Sequence, residues 1–195
     1  MSALFKSALA QAELLNRRQI SAVELMQDTL ARIKTINPQV NAIISLREEA
    51  DLLVQAAQAD KSGRTGWMHG LPIAIKDLHD VKDMPSSMGS AIFADYIAEK
   101  DDIAVARVRA AGAIIIGKTN TPEFGLGSHT YNPVHGTTYN PYDLSKSAGG
   151  SSGGAAAALS TRMLPLADGS DMMGSLRNPA AWNNVYGFRP SFGLV

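Results

Sequence analysis

Three segments of the chain place reactive side chains beside glycines or apolar residues. Lys76 closes the apolar run Pro72-Ile-Ala-Ile75, Ser151 and Ser152 lie between two pairs of glycines, and Ser175 follows a glycine in a turn-rich stretch. A lysine whose ammonium form is penalised by burial can act as a base near neutral pH. A serine hydroxyl needs such a base before it becomes a useful nucleophile. Together the three segments indicate nucleophilic catalysis by serine.

Two of these segments also have ordinary structural explanations. By itself, Lys76 at the end of a strand is more often a snorkelling surface residue than a buried amine. The segment Gly149-Gly-Ser-Ser-Gly-Gly154 could be a flexible linker, although it runs directly into an alanine-rich helix. A phosphate-binding loop would continue with Gly-Lys-Ser/Thr after the glycines. Because Ala155 stands there instead, nucleotide binding is disfavoured.

The stretch from Asp168 to Arg177 reads as a tight turn after a strand, and this turn presents Ser175. Such a turn can hold a serine hydroxyl beside several backbone N–H groups, the combination that serves a nucleophile with an oxyanion hole. It is not the Gly-x-Ser-x-Gly elbow, because Leu176 follows the serine. Taken alone, the turn is a weak signal.

The composition excludes several other kinds of site. The chain has 195 residues, no cysteine, and 18 basic against 18 acidic residues, so its formal net charge is zero. The absence of cysteine removes thiolate nucleophiles and sulfur-based metal sites, and no two histidines have the H-x-x-x-H spacing of zinc proteases. We therefore expect no metal and no cofactor. The charge balance disfavours direct binding to nucleic acid or to an anionic membrane. No apolar run approaches the ~20 residues of a membrane helix, and the absence of cysteine fits a cytoplasmic location.

Residues 1–66 predict a helical segment that packs on the remainder of a single domain. Apolar residues recur at helical spacing over 4–60. Ser21 and Glu24 predict a capping box, and Asn37-Pro38 is expected to end the helix that it starts. A third helix is expected over 46–60.

Residues 67–195 predict an α/β core that carries the candidate site. Apolar runs predict strands at 71–76, 113–117 and 163–167, with helices at 103–111 and 155–161 between them. Residues 125–154 predict a long loop, and a loop of that length in a compact domain is usually functional or mobile.

Four blocks, in this order along the chain, resemble those of the amidase signature family. They are Gly70-Leu-Pro-Ile-Ala-Ile-Lys-Asp77, Ala111-Gly-Ala-Ile-Ile-Ile-Gly-Lys-Thr-Asn120 followed by Glu123-Phe124, Gly149-Gly-Ser-Ser-Gly-Gly154, and Gly169-Ser-Asp-Met-Met-Gly-Ser-Leu-Arg177 with Gly187-Phe-Arg-Pro190. Each block alone is modest support, but four in the right order are hard to obtain by chance. The resemblance implies an amidase-signature-like α/β/α fold, a mixed β-sheet core flanked by helices.

The resemblance also implies a Ser–Ser–Lys triad. Ser175 is the implied nucleophile, and Ser151, preceded by a cis Gly150–Ser151 bond, is implied to relay its proton to a neutral Lys76. The backbone N–H groups implied to stabilise the oxyanion are those of Met172, Met173, Gly174 and Ser175. Attack on an amide carbonyl would give an acyl-enzyme and release ammonia or an amine, and water would complete the hydrolysis.

Three further side chains are candidates for supporting roles. Asp171 and Arg177 flank the nucleophile turn and could brace it, and Ser152 could hydrogen-bond near Lys76. Each of them could equally well cap or pair only locally. Met173 departs from the family, which often has glycine there, so its side chain could narrow or line the substrate pocket.

The chain is also shorter than the resemblance leads us to expect. Members of the family are usually more than twice as long, so we expect an incomplete core, completed by a missing C-terminal half or by partner chains such as a second copy in a homodimer. The leading hypothesis is a serine amidohydrolase that acts on a small-molecule amide. One alternative is the glutaminase subunit of a tRNA-dependent amidotransferase. Another is an inactive truncated fragment or scaffold that retains the motifs.

Overall fold

A three-stranded mixed sheet forms the centre of the molecule. The structure is a computed structural model, and it describes residues 2–194. Its strands are β1 (Ile43–Ile44), β2 (Pro72–Lys76) and β3 (Ile114–Thr119), in the order β1-β3-β2, with β2 parallel and β1 antiparallel to β3. The β2–β3 register sets Lys76 opposite Thr119, so the lysine lies where two parallel strands end. The predicted α/β fold with a mixed sheet is confirmed.

Helices flank this sheet, and the amphipathic pattern of the sequence positions them. Within residues 2–194 the α-helices are α1 (Ala8–Asn16), α2 (Ala22–Val40), α3 (Glu49–Lys61), α4 (Ile103–Ala110), α5 (Gly153–Ser160) and α6 (Arg177–Trp182). The capping box predicted at the start of α2 is confirmed, because the Glu24 N–H donates to Ser21 Oγ (3.1 Å) and the Ser21 N–H donates to Glu24 Oε2 (2.8 Å). Gly112, with a φ of +94°, follows the end of α4 and stops the helical turn there.

Both faces of the sheet are buried, because side chains alternate across a strand and both sets are apolar. In β3, Ile114 and Ile116 join a hydrophobic cluster with residues of α2, α3 and α5, whereas Ile115 joins a second cluster on the opposite face. In β2, Ile73 and Ile75 pack into that second cluster. This two-sided packing holds the end of β2, and therefore Lys76, inside the protein.

Two predictions for the N-terminal segment are wrong. The region expected to be helical throughout contains β1. The third helix, α3, starts at Glu49 rather than at residue 46, because the Arg47 N–H donates to the Ile116 carbonyl (2.8 Å) and keeps this residue beside β3. Asn37-Pro38 does not end α2, which continues to Val40. Pro38 lies in the last turn of α2, where its fixed φ is compatible with a helix, although it removes one backbone donor. The Asn37 carbonyl then accepts from the Asn41 N–H, and its side-chain oxygen accepts from the N–H groups of residues 42 and 43. The division of the chain at residue 66 stays a prediction.

Two predictions for the C-terminal half are also wrong. Residues 163–167 do not form a strand, and Ala167 makes a single parallel bridge to Ala74 of β2. Pro165 has no N–H to donate to a strand ladder, which explains why the pairing stops there. The region predicted as one long loop contains two short antiparallel hairpins, formed by β4 (Tyr131–Asn132) with β5 (Gly136–Thr137), and by β6 (Tyr139–Asn140) with β7 (Asp143–Ser147). None of the helices described over residues 2–194 has the length and apolarity to cross a membrane.

Candidate active site

Lys76 is fully buried, and its amine contacts only hydroxyl groups. The Nζ atom lies 2.6 Å from Ser151 Oγ, 3.0 Å from Ser152 Oγ and 2.9 Å from Ser170 Oγ. These serines come from two segments far along the chain from β2, so the lysine is the point at which they meet. Within residues 2–194 these three partners are all neutral, and no carboxylate forms an ion pair with the amine.

The backbone around Lys76 is fixed by its neighbours on both sides. Its N–H donates to Asp168 Oδ1 (2.7 Å), and the following N–H, that of Asp77, donates to the Thr119 carbonyl (3.0 Å). The Asp168 carboxylate therefore connects the end of β2 to the start of the turn that carries the nucleophile. His79 Nε2 lies 3.9 Å from its other oxygen.

Burial controls the charge of this site. Desolvation lowers the pKa of Lys76 to about 8, and the carboxylates of Asp168 and Asp171 oppose that effect. Desolvation also raises the pKa of Asp168, against the opposing effects of the Lys76 N–H and of His79. At a pKa of about 8, a useful fraction of the lysine is uncharged near neutral pH, which is the state that a base requires.

Ser151 and Ser152 sit at the entrance to α5. The Gly150–Ser151 peptide bond is cis, as the resemblance implies. Gly150 is required for close approach, because an added Cβ would lie 2.9 Å from the Gly127 carbonyl oxygen and 2.9 Å from the His129 nitrogen. The glycine-rich segment is therefore packed tightly against the 127–129 backbone and is not a flexible linker.

The turn that carries Ser175 is organised by the carboxylate of Asp171. Its oxygens accept from the N–H groups of Gly174 (2.8 Å), Leu176 (3.3 Å) and Arg177 (3.1 Å), and from the Arg177 guanidinium at 2.9 and 3.1 Å. The Asp171 side chain is only 2% exposed. The Arg177 side chain, followed by the backbone donors, holds the pKa of Asp171 far below its usual range.

The backbone of Ser175, and not its hydroxyl, is hydrogen-bonded to the serine pair at the lysine site. Its carbonyl accepts from the Ser152 N–H (2.9 Å), which joins the nucleophile turn to the serine pair. Over the described residues 2–194, the Ser175 hydroxyl is not hydrogen-bonded to Ser151. The structure thus joins Lys76 to Ser151 directly and brings the Ser175 backbone beside them.

The backbone donors expected to form the oxyanion hole are not equivalent. The Gly174 N–H is already bonded to Asp171 and is not free to bind an oxyanion in this conformation. The N–H groups of Met172, Met173 and Ser175 have no partner among the described residues. The two methionine side chains are 77% and 85% exposed, so they project away from the protein rather than fill a pocket.

Comparisons with known proteins agree on the kind of protein that this fold and site belong to. A family model described as "Amidase" matches residues 24–195. This chain belongs to the amidase family. A glutamyl-tRNA(Gln) amidotransferase subunit from Coxiella burnetii (strain Dugway 5J108-111) is 46% identical over 184 residues, which are 93% of this chain and 38% of that relative.

Two solved structures resemble the amidase-family chain over nearly its whole length. A bacterial aryl acylamidase has a TM-score of 0.90 and 34% identity, over 97% of this chain and 40% of the other. The corresponding glutamyl-tRNA(Gln) amidotransferase subunit from Thermotoga maritima has a TM-score of 0.85 and 34% identity, over 100% of this chain and 40% of the other. The chain therefore spans about two-fifths of the length of these relatives.

Sequence reasoning missed two side chains of this amidase-family site and a charged pair beside it. Ser170 and Asp168 contact Lys76, and both could have been noticed as polar residues directly after an apolar run. Lys118 and Asp77 form a buried ion pair, with Nζ and Oδ1 separated by 2.9 Å and both side chains at most 1% exposed. Residues 2–194 contain no group of three His, Cys, Asp or Glu side chains arranged to hold a metal.

Proposed function

We propose that this chain carries the nucleophile and the base of an enzyme that hydrolyses an amide through an acyl-serine intermediate. The observation that carries the proposal is the buried amine of Lys76, which lies 2.6 Å from Ser151 Oγ and has only hydroxyl partners among residues 2–194. Family membership supports amide carbonyls as the substrate class.

The first step activates Ser175. Neutral Lys76 accepts the Ser151 hydroxyl proton while Ser151 takes the proton of Ser175, whose side chain rotates toward it. The Ser175 oxygen attacks the amide carbonyl, and the oxyanion accepts from the free N–H groups of Met172, Met173 and Ser175. The relay then returns the proton to the leaving nitrogen, so that ammonia or an amine departs.

Water completes the reaction. The same relay takes a proton from water, the hydroxide attacks the acyl carbon, and the carboxylic acid leaves as Ser175 regains its proton. Asp171 acts through the turn: it fixes three backbone N–H groups and so holds the other donors in place. Ser152 and Ser170 occupy the remaining positions on the Lys76 amine and orient it toward Ser151.

A second candidate is the glutaminase subunit of a tRNA-dependent amidotransferase, in which released ammonia serves a partner subunit. The observation that favours it is the 46% identity to a glutamyl-tRNA(Gln) amidotransferase subunit. Both candidates share the acyl-serine chemistry and differ in the amide used and in the fate of the ammonia.

The test measures amide cleavage by the full chain. Release of 4-nitroaniline from short acyl-4-nitroanilides, and of ammonia from glutamine, should be at least about a hundredfold faster than for Ser175→Ala, because removing a nucleophile costs several powers of ten. Ser145→Ala changes an exposed serine away from the site and should leave the rate unchanged. Anilide cleavage favours the hydrolase, and glutamine cleavage alone favours the glutaminase. Equal rates for wild type and Ser175→Ala would leave only the inactive fragment or scaffold.

A further inference from the structure

A second lysine is buried beside the candidate active site, and its partners differ from those of Lys76. Lys118, in β3, is fully buried, and its Nζ lies 2.9 Å from Asp77 Oδ1. The same amine donates to the His79 carbonyl (2.8 Å) and to Ser86 Oγ (3.0 Å). Among the described residues 2–194 the two lysine amines share no partner. One amine is therefore held among hydroxyl groups, and the other is paired with a carboxylate.

The strand register places the two lysines on opposite faces of the sheet. Lys118 is opposite Ile75 in β2, whereas Lys76 is opposite Thr119. Successive residues of a strand point to opposite faces, and Ile75 packs into the second hydrophobic cluster. The side chain of Lys118 therefore extends away from the amine of Lys76, although the two residues belong to adjacent strands.

The ion pair joins the ends of β2 and β3. Asp77 directly follows Lys76, and Lys118 directly precedes Thr119. The Asp77 N–H donates to the Thr119 carbonyl (3.0 Å), and the Asp77 carboxylate contacts Lys118, so backbone and side chain join the same two strand ends. The second carboxylate oxygen of Asp77 accepts from Ser87 Oγ (2.6 Å), which restrains the side chain further. The backbone from which the Lys76 side chain extends is thus fixed on the side of Asp77.

A buried ion pair contributes more to geometry than to stability. The cost of removing two charges from water offsets their attraction, and well-packed apolar residues of similar volume often stabilise a core equally well. Catalysis by Lys76 depends on geometry, because the amine must stay within hydrogen-bond reach of Ser151 Oγ. A displacement of about 1 Å can cost about a hundredfold in rate.

We propose that Asp77 and Lys118 are positioning residues for amide hydrolysis, which fix the end of β2 so that the amine of Lys76 meets Ser151; this role rests on the proposed function. Neither side chain touches the reacting atoms. Both act through the backbone that carries the lysine.

The assay is labelling of Ser175 in the full chain by a fluorophosphonate at several probe concentrations, which separates the maximal labelling rate from probe binding. The variant Asp77→Asn/Lys118→Met removes both charges and leaves no unpaired charge in the core. We expect its maximal rate to fall at least about tenfold, while the probe concentration for half the maximal rate changes less than about twofold. The inflection near pH 8 should stay, because the carboxylates of Asp168 and Asp171, which act on the pKa of Lys76, are unchanged.

A matched control separates position from stability. Leu52→Ala removes apolar packing in the first hydrophobic cluster and leaves the ion pair in place. Its midpoint of unfolding in urea should fall at least as far as that of the double variant, whereas its labelling rate should equal that of wild type. All variants are assayed where circular dichroism shows them folded. If the double variant does not fold, Asp77→Asn alone, which keeps the carbonyl and hydroxyl partners of Lys118, should show the same fall in rate.

Three outcomes would overturn the inference and leave the proposed function intact. The first is labelling of the folded double variant at the wild-type rate. The second is an unchanged maximal rate with an inflection moved toward the ordinary lysine value of 10.5, which would assign the pair to charge and not to position. The third is an equal loss of rate in Leu52→Ala, which would leave the pair a structural role only. No labelling of Ser175 in wild type would contradict the proposed function itself, and with it the base that the pair is inferred to position.

Discussion

The pH dependence of Ser175 acylation follows from the burial of Lys76. With a pKa of about 8, the neutral fraction of this amine is about a tenth at pH 7 and about nine tenths at pH 9. The acylation rate should therefore rise about tenfold between these values and then level off. An ordinary lysine, with a pKa of 10.5, would give a rise of about a hundredfold over the same range without a plateau.

The assay is the rate of covalent labelling by a fluorophosphonate, which needs only the first chemical step. Wild type and Lys146→Met, which changes a lysine that is 73% exposed, should show the same inflection near pH 8. Lys76→Met should lose most of the rate at neutral pH and all of the inflection. A continuous hundredfold rise in wild type would refute the lowered pKa, and an inflection that survives in Lys76→Met would refute the assignment of the base.

Four further outcomes are expected. Asp171→Asn should lower the free energy of unfolding in urea by about 2 kcal/mol, because it removes the charge of an almost fully buried carboxylate; an unchanged midpoint would contradict the bracing role. Ser170→Ala should lower the high-pH plateau of the labelling rate about tenfold, because the Lys76 amine loses a hydroxyl that orients it toward Ser151. It should also move the inflection of the pH profile downward, because the ammonium form of Lys76 loses an acceptor; a profile identical to wild type would exclude Ser170 from the site. The free energy of unfolding should rise by about 3 kcal/mol between pH 8 and 10.5. In the unfolded chain Lys76 holds its proton up to the ordinary pKa, whereas in the folded chain it releases the proton near pH 8. Lys76→Met should remove that rise, and a rise that persists in this variant would be evidence against burial of the ammonium. Lys118→Met should lower the free energy of unfolding by about 3–5 kcal/mol, because it leaves the Asp77 carboxylate buried without its cation. The double variant that adds Asp77→Asn should recover at least half of that loss. No recovery would mean that lost packing, and not the unpaired charge, causes the destabilisation.

The sheet was predictable to the extent that its strands are continuous apolar runs. β2 and β3 are buried on both faces, so their sequences are largely apolar and easily recognised. β1 was not predictable, because two isoleucines between helices carry no alternation, and only the free edge of β3 makes them a strand. The segment 163–167 is apolar enough to resemble a strand, but Pro165 limits its pairing to one bridge.

The candidate site was predictable in its motifs and not in its contacts. The order of the four blocks indicated Lys76, Ser151 and Ser175, but a linear sequence gives no sign that Ser170, 94 residues after the lysine, reaches the same amine. The Gly174 N–H illustrates the same difficulty, since whether it is free depends on how the turn closes around Asp171. Side-chain convergence is a property of the packed molecule and has no local signature.

The central claim is that the amine of Lys76, acting through Ser151, activates the hydroxyl of Ser175. The most direct measurement is mass-spectrometric mapping of the fluorophosphonate adduct on the folded chain, in wild type, Lys76→Met and Ser151→Ala, with folding checked by circular dichroism. We expect one adduct, on Ser175, formed at least about a hundredfold more slowly in both variants. An adduct on another serine, or full-rate labelling of Ser175 in the folded Lys76→Met or Ser151→Ala chain, would contradict the relay.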